Sequence, residues 1–307
     1  MKLKLIALAA LAVVSTSSFA AIQDATTGNG ELVANFRLYS GAGAANDTGG
    51  DDISAMFDLG ISMNSFIAQA NVSGYTRTWD LTASNYGSAW NTLTTFNPAL
   101  NGAIEYNVIA LDNTNNTTAG GARYLSTAGT PAFASTLTNS AVINMQNMNG
   151  YLIANQTRGT HQMETDGAST ATSSDPQNTY FGKVNNGPID GDTWGASSGI
   201  PDTTRALNVP QYFHLITTSS TSATAQATRT AFGVDLDEDG LIEFDNNGTG
   251  VGGDNELGIW SVNAALGTLT YTAPTLAPVP EPEGIAMVLA GLGVMGTIVR
   301  RRKSKAV

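Results

Sequence analysis

Four carboxylates occupy five consecutive positions in the stretch Asp235-Leu236-Asp237-Glu238-Asp239-Gly240-Leu241-Ile242-Glu243. Asp235, Asp237 and Asp239 stand at loop positions 1, 3 and 5, Gly240 follows at 6 and an apolar residue at 8, as in the first two thirds of a calcium-binding loop. The pattern has a chemical cause: alternate side chains turn inwards to offer oxygens to a hard cation, and the glycine permits the sharp turn between them. Leu241 would add a backbone carbonyl and Glu243 a ninth-position ligand through water. Position 12, where a bidentate Glu belongs, is Asn246, with Asp245 one place short. The loop therefore departs from an EF-hand, and two readings stay open. One is a lone calcium loop of looser type that draws on Asp254 or Glu256; the other is an acidic, solvated turn. Without a cation the clustered carboxylates repel one another, so a bound ion would stabilise the fold by linkage.

Other chemistry is thinly represented. The chain has no cysteine, which excludes thiol catalysis, disulfides and thiolate zinc sites. It has two histidines, His161 and His214, and no H-E-x-x-H, G-x-S-x-G or phosphate-binding glycine loop. A secreted hydrolase would need convergent carboxylates, or His214 beside a nucleophile, and no spacing in the sequence specifies either. Trp79, Trp90, Trp194 and Trp260, with Tyr75, Tyr86 and Tyr180, would form a sugar-stacking platform if several were exposed in a row. Asp47 to Asp52 reads as a turn.

The charge narrows the partners. Two of the 14 Lys and Arg lie near the N-terminus and five at the C-terminus, leaving seven against 23 acidic residues between them, a body near −16 in a chain of net −11. No basic patch exists to neutralise phosphates, so nucleic acid is excluded as a partner. About 259 residues, from Ala21 to Val279, suffice for one large domain.

The elements that must position these residues read mainly as β. Glu31–Tyr39, Asp52–Leu59, Ile104–Leu111 and Tyr212–Ile216 alternate as half-buried strands do. Gly258–Asn263 and Gly267–Tyr271, three residues apart, form a hairpin. Tyr86, Trp90, Leu93 and Phe96 share one helical face, with Ser84 or Asn85 as cap. A second helical stripe runs from Thr136 to Gln156, where Gly150 leaves one helix or two pieces open. Thr160–Asp192 reads as an extended loop, and Thr217–Thr228 as a strand or linker. With no βαβ rhythm, the expectation is an antiparallel β-sandwich-like body over residues 21–275, with one or two packed helices.

Both ends look like addresses. Lys2 and Lys4 precede an apolar run, Leu5–Val14, and Ser18 and Ala20 occupy the −3 and −1 positions of a small-residue cleavage site, so residues 1–20 read as a signal peptide for the general export machinery. At the other end, Pro280-Glu281-Pro282 precedes sixteen uncharged residues, Gly284–Val299, and then Arg300, Arg301, Arg302, Lys303 and Lys305. The apolar run is read as a C-terminal transmembrane helix, short of the roughly 20 residues that cross a bilayer comfortably, and the cations as a membrane-stop cluster. That reading anchors the chain transiently in the inner membrane.

The arrangement over residues 279–305 resembles the PEP-CTERM sorting tail of exported bacterial proteins. The resemblance implies an exosortase as partner, recognition through Pro280, Glu281 and Pro282, removal of the tail, and delivery to the cell surface or to an exopolysaccharide or biofilm matrix. The expected function is that of a non-enzymatic surface or matrix protein, with a carbohydrate-binding module as the alternative. No cofactor is required beyond the calcium considered above.

Overall fold

The computed structural model describes residues 22–38, 52–96, 104–114, 119–129, 137–176, 178–181, 205–234, 256–276, 287–290, 292, 294 and 295. The chain divides into two compact units, Met1–Pro274 and Thr275–Val307.

In the first unit eleven strands form a single sheet: β1 (Glu31–Leu38), β2 (Ile53–Ser62), β3 (Thr76–Asp80), β4 (Ile104–Asp112), β5 (Arg123–Ala128), β6 (Ala168–Thr172), β7 (Arg205–Ala206), β8 (Gln211–Thr217), β9 (Thr228–Ala231), β10 (Ile259–Asn263) and β11 (Thr268–Thr272). Nine of them follow one another in the order β3-β11-β10-β8-β5-β4-β1-β2-β6, curled into a half-barrel, while β7 pairs with β4 and β9 with β8. Every pairing is antiparallel. The expected sandwich is thus corrected: one sheet does the work of two. Among the described residues four short helices accompany it, α1 (Met63–Ala70), α2 (Ala89–Thr95), α3 (Asn139–Asn144) and α4 (Asn149–Gln156).

A single sheet can close a core because both of its faces are covered. Even-numbered residues of β1 (Leu32, Ala34, Phe36, Leu38) join Phe57, Tyr106, Phe213, Trp260 and Tyr271 on one face, under Phe66 of α1 and Trp90 and Leu93 of α2. On the other face Val33, Met56, Ile109, Tyr124 and Ile216 meet Val142 of α3 and Tyr151 and Leu152 of α4. Each such fully buried side chain contributes about 1.5–3 kcal/mol. Two strands expected to be half-buried are therefore buried almost throughout: seven of the eight residues of β1 and eight of the nine of β4 are buried, while β8 still alternates. Their polar members are paired inside. Asn35 donates to Asn107 (2.9 Å) across the β1–β4 register, and Arg37 donates to Glu105 (2.9 Å) with its guanidinium 5.9 Å from the Phe181 ring.

The helical stripes hold with local changes. Trp90 and Leu93 are buried, but α2 begins after Ser88, and Ser84–Tyr86 form a separate 3₁₀ turn. The Thr136–Gln156 stripe resolves into two pieces joined by a 3₁₀ turn, Met145–Met148; Thr138 caps the first through its side chain and Gly150 lies inside the second. The polar stretch after Thr160 is only in part a loop. Its described part contains most of a 3₁₀ turn, Gly159–Gln162, strand β6, and Tyr180 and Phe181, both fully buried; residues 182–192 lie outside the described residues. Thr217 ends β8 and Thr228 begins β9, so the Thr-rich segment links a hairpin. The β10–β11 hairpin forms as expected, in the register Trp260↔Tyr271.

In the second unit Met287–Ala290, Leu292, Val294 and Met295 are helical with exposed side chains. Among the described residues no helix is long and apolar enough to cross a membrane. This corrects both the transmembrane helix expected over Gly284–Val299 and the transient inner-membrane anchoring built on it. The physical reason is length: sixteen residues rise about 24 Å as an α-helix, against a hydrocarbon core of about 30 Å, and Gly291, Gly293 and Gly296 weaken the run as a helix.

Candidate functional site

The calcium-loop residues Asp235, Asp237, Asp239, Leu241 and Glu243 lie outside the described residues, as do Pro280, Glu281 and Pro282, the basic cluster Arg300–Lys305, the leader 1–20 and Trp194. Of the neighbouring carboxylates weighed for the loop, Glu256 is described and is buried, its carbonyl accepting the amide of Val234 (2.8 Å).

The described aromatic residues do not form a stacking platform. Trp260 and Tyr180 are fully enclosed, and Trp79, Trp90 and Tyr86 are buried. Trp79 stacks on Trp260 at 5.3 Å, Trp90 meets Phe36 edge-on at 5.3 Å, and Tyr86 meets Phe57 edge-on at 5.3 Å. Their ring faces are spent on the core. The Trp79 indole donates to Leu59 O (2.8 Å), and the Tyr86 hydroxyl to Asp58 O (2.8 Å). The histidines are buried as well, His161 in the Gly159–Gln162 turn and His214 in β8. Burial holds each imidazole down at about 4; a hydrogen bond with the Met56 backbone opposes this at His161, and Arg229 adds to it at His214.

What the fold does gather is a trio of carboxylates that no sequence spacing announced: Glu31, Asp58 and Asp166. A bulge between Glu31 and Val33 shifts the β1–β2 register, so that Val33 faces Asp58 while Glu31 faces Ser62. Gly60 follows at φ +59, a conformation that favours glycine, and the Asp166 carboxylate occupies the space a Cβ would take there. Asp58 is fully enclosed. Its Oδ1 accepts the Gly60 amide (3.0 Å), its backbone N–H donates to Gly167 O (2.9 Å), and its Oδ2 has no hydrogen-bond partner among the described residues. Glu31 Oε2 accepts the Gln23 amide (2.7 Å), and Asp166 O accepts from Asn85 (2.6 Å).

No ion pair relieves this charge among the described residues, whose bridges are Arg37–Glu105, Arg123–Asp112 and Arg158–Asp175. Burial first, then Glu31 and Asp166, push the Asp58 carboxyl well above the usual range, and burial also raises Glu31. A carboxyl raised in this way favours its protonated form. No group of three His, Asp or Glu side chains among the described residues is arranged to bind a metal ion. The one local signal was Asp58-Leu59-Gly60, an acid on an apolar strand beside a glycine. Its partners stand 27 and 108 residues away in the sequence.

The fold is thus that of a mostly-β body with a separate C-terminal unit. Residues 278–303 match the PEP-CTERM protein-sorting motif, so the chain carries the sorting signal of an exosortase substrate. The motif brackets Pro280-Glu281-Pro282 and runs into the basic cluster. No curated protein and no solved structure matches the chain.

Proposed function

We propose that this chain is a non-enzymatic protein of the cell surface or extracellular matrix, exported, trimmed at its C-terminal tail by an exosortase-type sorting system, and associated with exopolysaccharide. The sorting motif at residues 278–303 carries this reading. In it Pro280, Glu281 and Pro282 are the recognition element, and the general export machinery handles residues 1–20. The body between is strongly acidic, which favours solubility outside the cell. Trp79, Trp90, Trp260, Tyr86 and Tyr180 are committed to packing, which favours a structural role over an aromatic sugar-binding platform.

Intact-mass measurement on surface-fractionated protein, from cells with and without a working exosortase, tests the reading. The expected species begins near Ala21 and lacks Arg300–Lys305 only when the exosortase works. Finding those residues on the mature surface protein, or unchanged delivery of a chain lacking residues 279–305, overturns it. Co-sedimentation with purified exopolysaccharide, without release of new reducing ends, tests the non-enzymatic part; sugar release refutes it.

A further inference from the structure

The two edges of the sheet are treated differently. At β6 the bond from Ser173 N to Asp52 O (3.1 Å), with the register Ala171↔Ser54 and Ser169↔Met56, commits odd-numbered residues to β2 and turns the even-numbered backbone outwards. Side chains occupy what faces out. Thr160 Oγ1 accepts from Ala168 N (2.9 Å) and donates to Ala168 O (3.3 Å), Arg158 donates to Thr170 O (3.3 Å), and Asp175 accepts from Thr172 N (2.8 Å). This edge is closed to further strands.

At β3 the bonds from Leu81 N to Gly267 O and from Ala273 N to Tyr75 O (both 2.8 Å) set the phase in the same way. Arg77 and Trp79 spend their backbone groups on β11, and those of Thr76, Thr78 and Asp80 point away from the sheet. Among the described residues only Asp80 O has a partner, the amide of Ala83 (3.1 Å). The face beside this edge is open too. Thr76 and Thr78 are exposed, and Thr78 and Thr270 share a hydroxyl hydrogen bond (3.0 Å). An unguarded row of backbone donors and acceptors is a template for another strand.

We propose that β3 is an interface between two copies of this chain, paired antiparallel about a two-fold axis through Thr78. The strand is complementary to itself in that register. Thr78 lies opposite the partner's Thr78 and exchanges both backbone bonds with it, and the Asp80 amide of each copy donates to the partner's Thr76 carbonyl, about four bonds in all, while the Asp80 carbonyl stays on the Ala83 amide. On the open face the Thr76 hydroxyl meets the partner's Asp80 carboxylate. On the other face Arg77 comes opposite the partner's Trp79, the ring type its guanidinium already covers within its own chain, 5.0 Å from the centroid. The two Asp80 side chains are held apart, each opposite a threonine. Dimerisation closes this edge of the half-barrel as side chains close the other.

The absence of cysteine from the chain makes the test clean. In the full chain Thr78→Cys places two thiols opposite each other across the axis, with Cα atoms about 5.5 Å apart, within disulfide reach. Under mild oxidant it is expected to cross-link to a dimer at least tenfold faster than Ile153→Cys, an exposed position on α4. Thr78→Pro removes an N–H that faces away from β11 and leaves the β3–β11 ladder intact. It is expected to weaken dimerisation at least tenfold by sedimentation equilibrium, with an unchanged far-ultraviolet spectrum. Equal cross-linking rates for the two cysteine variants overturn the proposal. So does a dimer that survives Thr78→Pro, which would place association elsewhere, in the apolar tail for example.

Discussion

Asp58 offers the sharpest perturbation. Its carboxyl is enclosed, one oxygen has no donor, and Glu31 from β1 and Asp166 from the turn before β6 face it. Tyr86 also borders the site, and the field of Arg77 reaches that phenol. The folded protein therefore keeps a proton on Asp58 at pH values where the unfolded chain, with a carboxyl pKa of about 3.9, has released it. A group raised in this way contributes stability that is fully present below the unfolded pKa and is lost as pH rises through the folded one. Over that window the loss is at most about 1.4 kcal/mol per pH unit, set against a domain total that is typically about 5–15 kcal/mol.

Asp58→Asn preserves the shape and the acceptor for the Gly60 amide, and places an N–H₂ where Oδ2 had no donor, beside two carboxylates able to accept. Urea unfolding of both proteins at pH 5, 6, 7 and 8 reads the effect. The stability of the variant minus that of the parent should climb with pH, by up to about 1.4 kcal/mol per unit, and favour the variant in mild alkali. Titrations remote from this trio, those of the histidines included, cancel in the difference. A pH-independent difference would refute the reasoning.

Three further outcomes follow from the same physics. His161 and His214, held at about 4 against about 6.5 when unfolded, stabilise the fold fully above pH 6.5; that stability drains as pH falls towards 4, by up to about 3 kcal/mol each. His161→Gln should accordingly move the acid-unfolding midpoint to lower pH, and an unmoved midpoint counts against it. Gly159→Ala should cost about 2–4 kcal/mol in chemical unfolding, because Gly159 has φ +55 and a Cβ there meets the Ala168 carbonyl and lies 2.9 Å from Ser169 Cα, backbone that cannot step aside. A change within 0.5 kcal/mol, the range of a neutral surface substitution, would contradict that packing. Millimolar calcium should raise the melting temperature of the protein, and Asp237→Asn should abolish the rise; no shift with calcium dismisses the loop assignment.

Local signals and long-range ones fared differently. The sequence by itself determined what depends on neighbours along the chain. Pro280-Glu281-Pro282 with its cationic end identifies the tail, because a sorting signal is read as a linear segment. The period-2 pattern located β1, β2, β4, β8 and the β10–β11 hairpin, and the spacing of Trp90 and Leu93 located the buried face of α2. Composition excluded thiol chemistry and a basic nucleic-acid surface. Tertiary structure alone decided how many sheets there are, since alternation in a strand does not say what covers its polar-looking side. Asn35, Arg37 and Asn107 read as solvent-facing, yet Asn35 pairs with Asn107, Arg37 with Glu105, and Phe181, 144 residues after Arg37, closes over the guanidinium. It also decided that five conspicuous aromatics pack inwards, that Asp58 meets Glu31 and Asp166, and that one sheet edge is guarded while the other is bare. Each of these rests on contacts between residues tens to more than a hundred positions apart, set by strand order and register, which no local window of sequence contains.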